Sequence, residues 1–403
     1  MSETLHTPAT EEEAAQIIAE AAGNRPLRIQ GSGSKSASFS SNADTLSSAG
    51  LSGIVAYNPA ELVMTAKAGT PMQEIEAALE KHKQMLAFEP GSWASALGGG
   101  NSQTIGGIAA ANQSGSRRFV AGAARDSLLG VRFVNGKGEI IKNGGRVMKN
   151  VTGLDLVKLM AGSWGALSLL TEVSFKVLPV AASQKTLAIA VQDDAEATAI
   201  MAAAMATSAD PSGVAILPQS TIDRLKPNQF PARGHVLIRF EGFVASVDER
   251  MARVRSQLNL AADVSVLDPD PSRDIWSHLN ELSMFKTDTE KQLWRLSVPP
   301  TKGIALAASL AANDQDTWFA DWQGGLVWLE LTDPAVNVHD LARLHGGHAV
   351  LLRRGAATDP AVPTFSPQNA ALANVSLAVK RSMDPREIFQ SPLNLAKAEP
   401  VAA

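Results

Sequence analysis

The residue types that can do chemistry in this chain gather in glycine-rich stretches. Residues 31–36 read Gly31-Ser32-Gly33-Ser34-Lys35-Ser36, which is two glycines, three hydroxyls and one ammonium in six positions. Glycines let backbone amides turn toward a bound anion, and hydroxyls and an ammonium add further donors. The spacing is neither that of a Walker loop nor the dinucleotide pattern Gly-x-Gly-x-x-Gly. A pyrophosphate cradle and a plain surface turn both stay open. Residues 98–115 are almost all small and include Thr104, Ile105, Gly106, Gly107, Ala110, Ser114 and Gly115. Such a stretch makes a tight apolar turn or short helix beside a loop. It suits a large flat cofactor with phosphates, or else a dense loop crossing a core. Gly162-Ser163-Trp164-Gly165-Ala166-Leu167 then runs into Leu170-Thr171-Glu172-Val173. Arg117, Arg118 and Arg125 follow the second stretch, where they can neutralise phosphates or pair with Asp126 and nearby carboxylates.

Other chemistries are disfavoured. His345-Gly346-Gly347-His348 has no helix to hold both imidazoles on one face and no obvious third ligand, so no metal is expected. The chain has no cysteine, which removes disulfides, thiol chemistry and thiolate-held iron–sulfur clusters. A net charge of −4 gives no electrostatic case for nucleic acid. With 403 residues, 45% hydrophobic and 19% charged, the chain reads as a soluble globular protein of two or three domains. No signal peptide, membrane span or internal repeat is visible. These features fit the cytoplasm, with peripheral attachment at the inner membrane through partners.

The elements that must position the glycine stretches follow from periodicity. Residues 11–22 predict an amphipathic helix with an acidic first turn, and residues 26–30 a strand feeding the first loop. Strands are expected at 54–57 and 62–66, then a helix beginning at Thr70-Pro71 and burying Met72, Ile75 and Leu79. Asn135-Gly136 predicts a two-residue hairpin turn. Residues 172–177 alternate as a half-buried strand, with Val173, Phe175 and Val177 inward. Past Pro179, helices and strands alternate over residues 185–352 as an α+β layer holding five of the seven tryptophans. These can line a pocket or fill a core. A helix over 374–386 leads into Ile388 and Phe389.

In this order and spacing, the motifs resemble the FAD-linked oxidases of the vanillyl-alcohol oxidase and p-cresol methylhydroxylase type. Within that family they are most similar to the smaller FAD-binding subunits of bacterial glycolate oxidases. The resemblance implies an α+β fold: a two-subdomain FAD-binding domain of the p-cresol methylhydroxylase type over 1–180, an α+β cap over 181–355, and a C-terminal return over 356–403. It implies FAD contacts from Gly31, Ser32, Gly33, Ser34, Lys35 and Ser36 in a first loop. Thr104, Ile105, Gly106, Gly107, Ala110, Ser114 and Gly115 form a second, with Gly165, Leu167, Val173 and Lys380 completing the set. No histidine lies between His6 and His82, so FAD is expected to be non-covalent.

Two departures from the family bear on function. Trp164 stands where relatives commonly carry Glu, and the His-x-Gly-Asp-Gly-Asn-x-His stretch of related 2-hydroxyacid dehydrogenases is missing. No catalytic residue is therefore assigned; Arg353 and Arg354, placed after a core strand, are candidates either to clamp a carboxylate or for a surface or interface role. The expected function is an FAD-binding subunit of a complex that oxidises glycolate to glyoxylate. Its implied partners are a second flavoprotein and an iron–sulfur subunit. The alternatives are a structural or electron-relay flavoprotein without substrate oxidation, and a stand-alone flavin oxidase.

Overall fold

The computed structural model describes residues 3–21, 26–35, 43–98, 102–146, 153–225, 233–259, 264–285, 287 and 290–390. The chain opens with a parallel three-stranded sheet in the spatial order Leu5–His6, Asp44–Ser47, Leu27–Gln30. The helix Glu11–Glu20 lies against it. Thr10 caps the helix by accepting from Glu13 N at 3.1 Å, and Glu11–Glu13 place negative charge at its positive end. Its buried Ala14 and Ile18 share a small core with Leu27, Leu46, Val134, Ile388 and Phe389.

The second layer is an antiparallel sheet in the order Ile54–Asn58, Val63–Lys67, Ser168–Lys176, Leu128–Asn135, Ile140–Gly144. Val173, Phe175 and Val177 are fully buried on one face, as their alternation requires. They pack with Met72, Ile75 and Leu79 of the helix Met72–Glu80. The Asn135-Gly136 turn is wider than expected. Asn135 N reaches Glu139 O at 3.1 Å, and Gly138, at φ +81°, takes the left-handed position. Gly136 is otherwise engaged: its N–H donates to Met383 O of the C-terminal helix at 2.9 Å.

Residues 183–353 form one eight-stranded antiparallel sheet. Its order resolves into two halves, each strand–helix–strand–strand–helix–strand along the chain apart from small added helices. The strands of the first half are Ser183–Ala190, Gly213–Leu217, His235–Gly242 and Val264–Leu267. Those of the second are Gln292–Ser297, Thr317–Asp321, Leu326–Leu331 and His348–Arg353. In each half the first strand lies between the third and fourth, the ferredoxin-like arrangement. The halves join at one residue pairing, Ile216 with Ala320. No sequence repeat announces this duplication, because hydrophobic alternation alone satisfies both copies. One face carries the core under the helices Asp194–Met205, Val244–Gln257, Pro300–Leu310 and Val338–Leu344. The other face is packed with Trp93, Ala96 and Leu97 from the first part of the chain.

The helix Ala370–Met383 leads back to the first sheet. Leu27 N donates to Ile388 O at 2.7 Å, and Gln390 N donates to Leu27 O at 2.9 Å. Lys380 anchors this return. Its ammonium donates to Ala166 O at 2.7 Å, Phe389 O at 2.9 Å and Asp384 Oδ2 at 2.5 Å. Asp384, with no exposed surface, also accepts from Ile388 N and Phe389 N. Burial lowers the Lys380 pKa against the opposing pull of Asp384.

A buried ion cluster ties the two parts together. Glu89 receives Arg239 in two hydrogen bonds of 3.0 Å each, and Arg117 lies 3.2 Å from the same carboxylate. Arg117 also pairs with Glu241, through Nε at 2.7 Å. Two bases and two acids thus satisfy each other in a place where a lone charge would be costly. Their mutual attraction overcomes burial, holding Glu241 down at about 2.

Candidate functional site

A cleft runs between the first loop and the second glycine stretch. Gly31, Ser32, Gly33, Ser34 and Lys35 form one wall. Thr104, Gly106, Gly107 and Ala110 form another, and Gly165 and Ser168 close the end. The walls are low because side chains have no room. A Cβ on Gly31 would collide with Thr104 Oγ1, and one on Gly165, at φ +75°, would lie 2.7 Å from Ile29 Cβ. Thr104 caps the short helix Ile105–Ala111, accepting from Gly107 N at 3.2 Å, which fixes where that helix starts.

The donor set fits FAD. Ser32, Ser34 and Lys35 put hydroxyls and an ammonium at one wall, while Ile29, Leu169 and Leu170 supply apolar surface. Burial pushes the Lys35 ammonium down to about 7. Its hydrogen bond goes to the neutral Gln103 Oε1, and its ammonium sits 5.6 Å from the Trp93 ring centre. An anionic diphosphate is the complement that such a buried cation lacks.

The residues singled out from sequence divide. Gly31, Ser32, Gly33, Ser34, Lys35, Thr104, Gly106, Gly107, Ala110 and Gly165 line the cleft. Ser36 lies outside the described residues. Ile105, Leu167 and Val173 turn instead into the hydrophobic core. Ser114 Oγ accepts from Ala124 N at 2.9 Å, and Gly115 O accepts from the Trp322 indole at 2.9 Å. Neither is among the cleft's lining residues. Lys380 does not itself line the cleft; its ammonium holds Asp384 and two carbonyls, one of them Ala166 O next to the cleft's Gly165. Arg353 is likewise committed, to Glu330 at 2.8 Å and to Ala96 O, and Arg354 reaches Val362 O and Asp359 O. Neither is a clamp. Arg117 serves the ion cluster and not a phosphate.

A second cleft opens from the first, sharing Ala111 and Trp164 with it. It lies between the first part of the chain and the second half of the large sheet. On the sheet side Arg295, Ser297, His348, Val350 and Leu352 line it. Register explains the set: Arg295 pairs with Val350 and Ser297 with His348, so alternate residues of two neighbouring strands share one face. Trp294, Leu296, Ala349 and Leu351 point the other way, into the helix-side core. Trp93, Trp164 and Trp322 complete the walls, and each has a positive φ, at 54°, 51° and 50°. Left-handed backbone costs a bulky residue of the order of 1–3 kcal/mol, and such strain clusters at binding sites. Sequence reasoning missed this cleft. Of the five tryptophans clustered over residues 185–352, the cleft takes Trp322, while Trp276, Trp294, Trp318 and Trp328 fill the core. His345 does not join it: its Nδ1 contacts Leu341 O at 2.9 Å. Among the described residues no His, Asp and Glu side chains gather as a metal site, and no helix is long and apolar enough to cross a membrane.

Comparison with known proteins agrees with this architecture. Residues 3–144 match the FAD binding domain family. The chain is 34% identical to glycolate oxidase subunit GlcE of Escherichia coli (strain K12) over 367 residues, which is 90% of this chain and 91% of that one. Likeness to glycolate oxidase subunit GlcD of Bacillus subtilis (strain 168) is 30% over 168 residues, 40% of this chain and 36% of that one. Among solved structures, p-cresol methylhydroxylase with substrate bound superposes with a TM-score of 0.70 at 13% identity, over 96% of this chain and 87% of that one. Alkyldihydroxyacetonephosphate synthase gives 0.67 at 16% identity, over 96% and 76%. The fold is therefore the expected α+β, two-subdomain p-cresol methylhydroxylase type with its cap, and the cofactor of its FAD-binding domain is non-covalent FAD. The chain belongs to the family of the glycolate oxidase subunit GlcE.

Proposed function

We propose that this chain is the FAD-binding subunit of a glycolate-oxidase-type assembly and that, alone, it holds FAD without oxidising glycolate at a useful rate. The observation that carries the reading is likeness to GlcE along nearly the whole of both chains. Ser32, Ser34 and Lys35 would hold the diphosphate of FAD, with Gly31, Gly33, Gly106, Gly107, Ala110 and Gly165 keeping the cleft open to it. When bound, FAD supplies acceptance of a hydride from a CH–OH carbon. Removing that hydride also requires a base for the hydroxyl proton. The second cleft offers arginines but no carboxylate among its lining residues. A chain without cysteine leaves the iron–sulfur relay to a partner subunit, and the base to the second flavoprotein.

One feature favours a second reading, in which this chain oxidises a hydroxy acid itself. His348 stands at the mouth of the second cleft, and burial together with Arg295 and Arg118 lowers its pKa, which keeps the imidazole neutral and able to take a proton. Purification with added FAD and anaerobic mixing with glycolate tests both. A flavin spectrum near one FAD per chain, little bleaching alone and fast bleaching after adding the partner subunits supports the first reading. Fast bleaching by this chain alone replaces it with the second. A protein that takes up no FAD overturns both.

A further inference from the structure

Among the described residues, neither cation of the second cleft is ion-paired. The Arg118 guanidinium lies 4.4 Å from the Trp322 ring centre, and that of Arg295 lies 5.2 Å from the same ring and 5.8 Å from Trp328. One indole thus carries a guanidinium from each side of the domain boundary. Among the described residues neither arginine has an ion pair, and the one acidic group whose charge reaches Arg118, Asp126, is already accepting from Ala123 N at 2.8 Å. Other arginines buried at the domain boundary are treated differently: Arg117, Arg239 and Arg353 each meet a glutamate.

A neutral group beside them is also unsatisfied. Gln113 lines the same cleft, is 2% exposed, and has its Oε1 buried without a hydrogen-bond partner among the described residues. Its amide nitrogen is used on Gly91 O. The cleft therefore holds two cations without ion-pair partners between aromatic walls, and an unsatisfied acceptor is buried in its lining.

We propose that Arg118 and Arg295 bind a small carboxylate in this cleft, with His348 at its mouth and Gln113 Oε1 accepting from a hydroxyl on the same ligand. Planar guanidinium groups match a carboxylate, and the tryptophan walls admit a flat ligand more readily than a tetrahedral phosphate. Burial and mutual repulsion lower Arg295 to about 10, which a bound anion reverses. The site lies in the cleft that adjoins the first one, so the proposal deepens the flavin-subunit reading by naming an occupant. It does not depend on FAD being bound.

The test uses the full chain, by calorimetric titration with oxalate, glycolate, acetate and inorganic phosphate. FAD content is measured on the same samples. Saturable binding of oxalate and glycolate is expected, with acetate and phosphate at least tenfold weaker. Arg295→Met and Arg118→Gln should each weaken oxalate at least tenfold, Gln113→Leu should weaken glycolate but not oxalate, and Arg125→Gln should change nothing. If Arg295→Met does not fold, Arg118→Lys, which keeps the charge but loses the planar fork, should still weaken oxalate severalfold. No oxalate binding by the wild-type chain, or equal binding by the folded arginine variants, overturns the proposal. Absent FAD with intact oxalate binding sinks the flavin reading alone. Glycolate that bleaches bound flavin marks the ligand as a substrate, and glycolate that binds without bleaching marks it as a non-reacting ligand. Both outcomes support the site.

Discussion

Replacing Asp321 by asparagine should make this protein more stable at neutral pH. Asp321 ends the strand Thr317–Asp321 and is 4% exposed. Its oxygens accept from Ser116 Oγ at 2.6 Å and from Trp322 N at 2.7 Å. Burial pushes its pKa from 3.8 up to about 6; these hydrogen bonds and Arg239 oppose the rise, and Glu89 adds to it. The sign follows from linkage. The folded state holds the proton more tightly than the unfolded state, so this group costs nothing below about pH 4. Its penalty then grows as pH rises toward about 6 and stays constant above. A tenfold difference in proton affinity between the two states is worth about 1.4 kcal/mol, so the full penalty at pH 7.5 is roughly 3 kcal/mol. Asparagine has no charge to bury and the same shape. Its Oδ1 can keep the Trp322 bond while its Nδ2 donates to a reoriented Ser116 hydroxyl, so a gain of roughly 2 kcal/mol is expected. Urea unfolding at pH 7.5 and pH 4.5 measures it. The variant should be more stable at pH 7.5, with most of the difference gone at pH 4.5. A variant less stable by equal amounts at both pH values would refute the reasoning, because the carboxylate would then be a net stabiliser regardless of charge.

Three further outcomes are expected. Gly165→Val, placing a branched side chain at φ +75° against Ile29, should lower FAD retention at least tenfold by absorbance per chain; full retention would move the cofactor elsewhere. Lys380→Met should cost about 3–5 kcal/mol in urea unfolding, because Asp384 is left buried without its counter-charge, and a loss under 1 kcal/mol would show the pair to be dispensable. Glu89→Gln should speed proteolytic cleavage between the two parts of the chain, since Arg117 and Arg239 both lose a charged partner; an unchanged digestion pattern would mean that other contacts hold the parts together.

The first cleft was legible because its chemistry is local. Gly31 and Gly106 have no room for a Cβ, against Thr104 and Ala68, and Gly33 takes φ +84°; such needs leave glycine in the sequence. The strand with Val173, Phe175 and Val177 inward was legible for a similar reason, since alternation is written residue by residue. The partners of Lys380 were not legible, because a buried lysine beside a flavin fold and a buried lysine paired four residues onward look alike in sequence. Only the folded chain brings Asp384 and Phe389 O up to take its protons. The second cleft was illegible for a deeper reason. Arg118 and Arg295 are 177 positions apart in sequence and meet only through Trp322. No spacing rule connects them. The positive φ of Trp93, Trp164 and Trp322 is equally silent, because tryptophan carries no preference for that conformation.

The doubled sheet separates two duties. Every residue that the sheet contributes to the tryptophan-walled cleft lies at or beyond position 295, in the second copy. The paired arginine and glutamate that grip Glu89 and Arg117 are Arg239 and Glu241, on a central strand of the first. One copy is a handle and the other a receptor. A single residue pairing joins their strands at the seam, and the helix-side core, with Thr221 Oγ1 donating to Trp318 O, holds the two copies together there. A side-chain change on the cleft face of the receptor strands therefore touches neither Arg239 nor Glu241, and the grip on Glu89 and Arg117 keeps its partners.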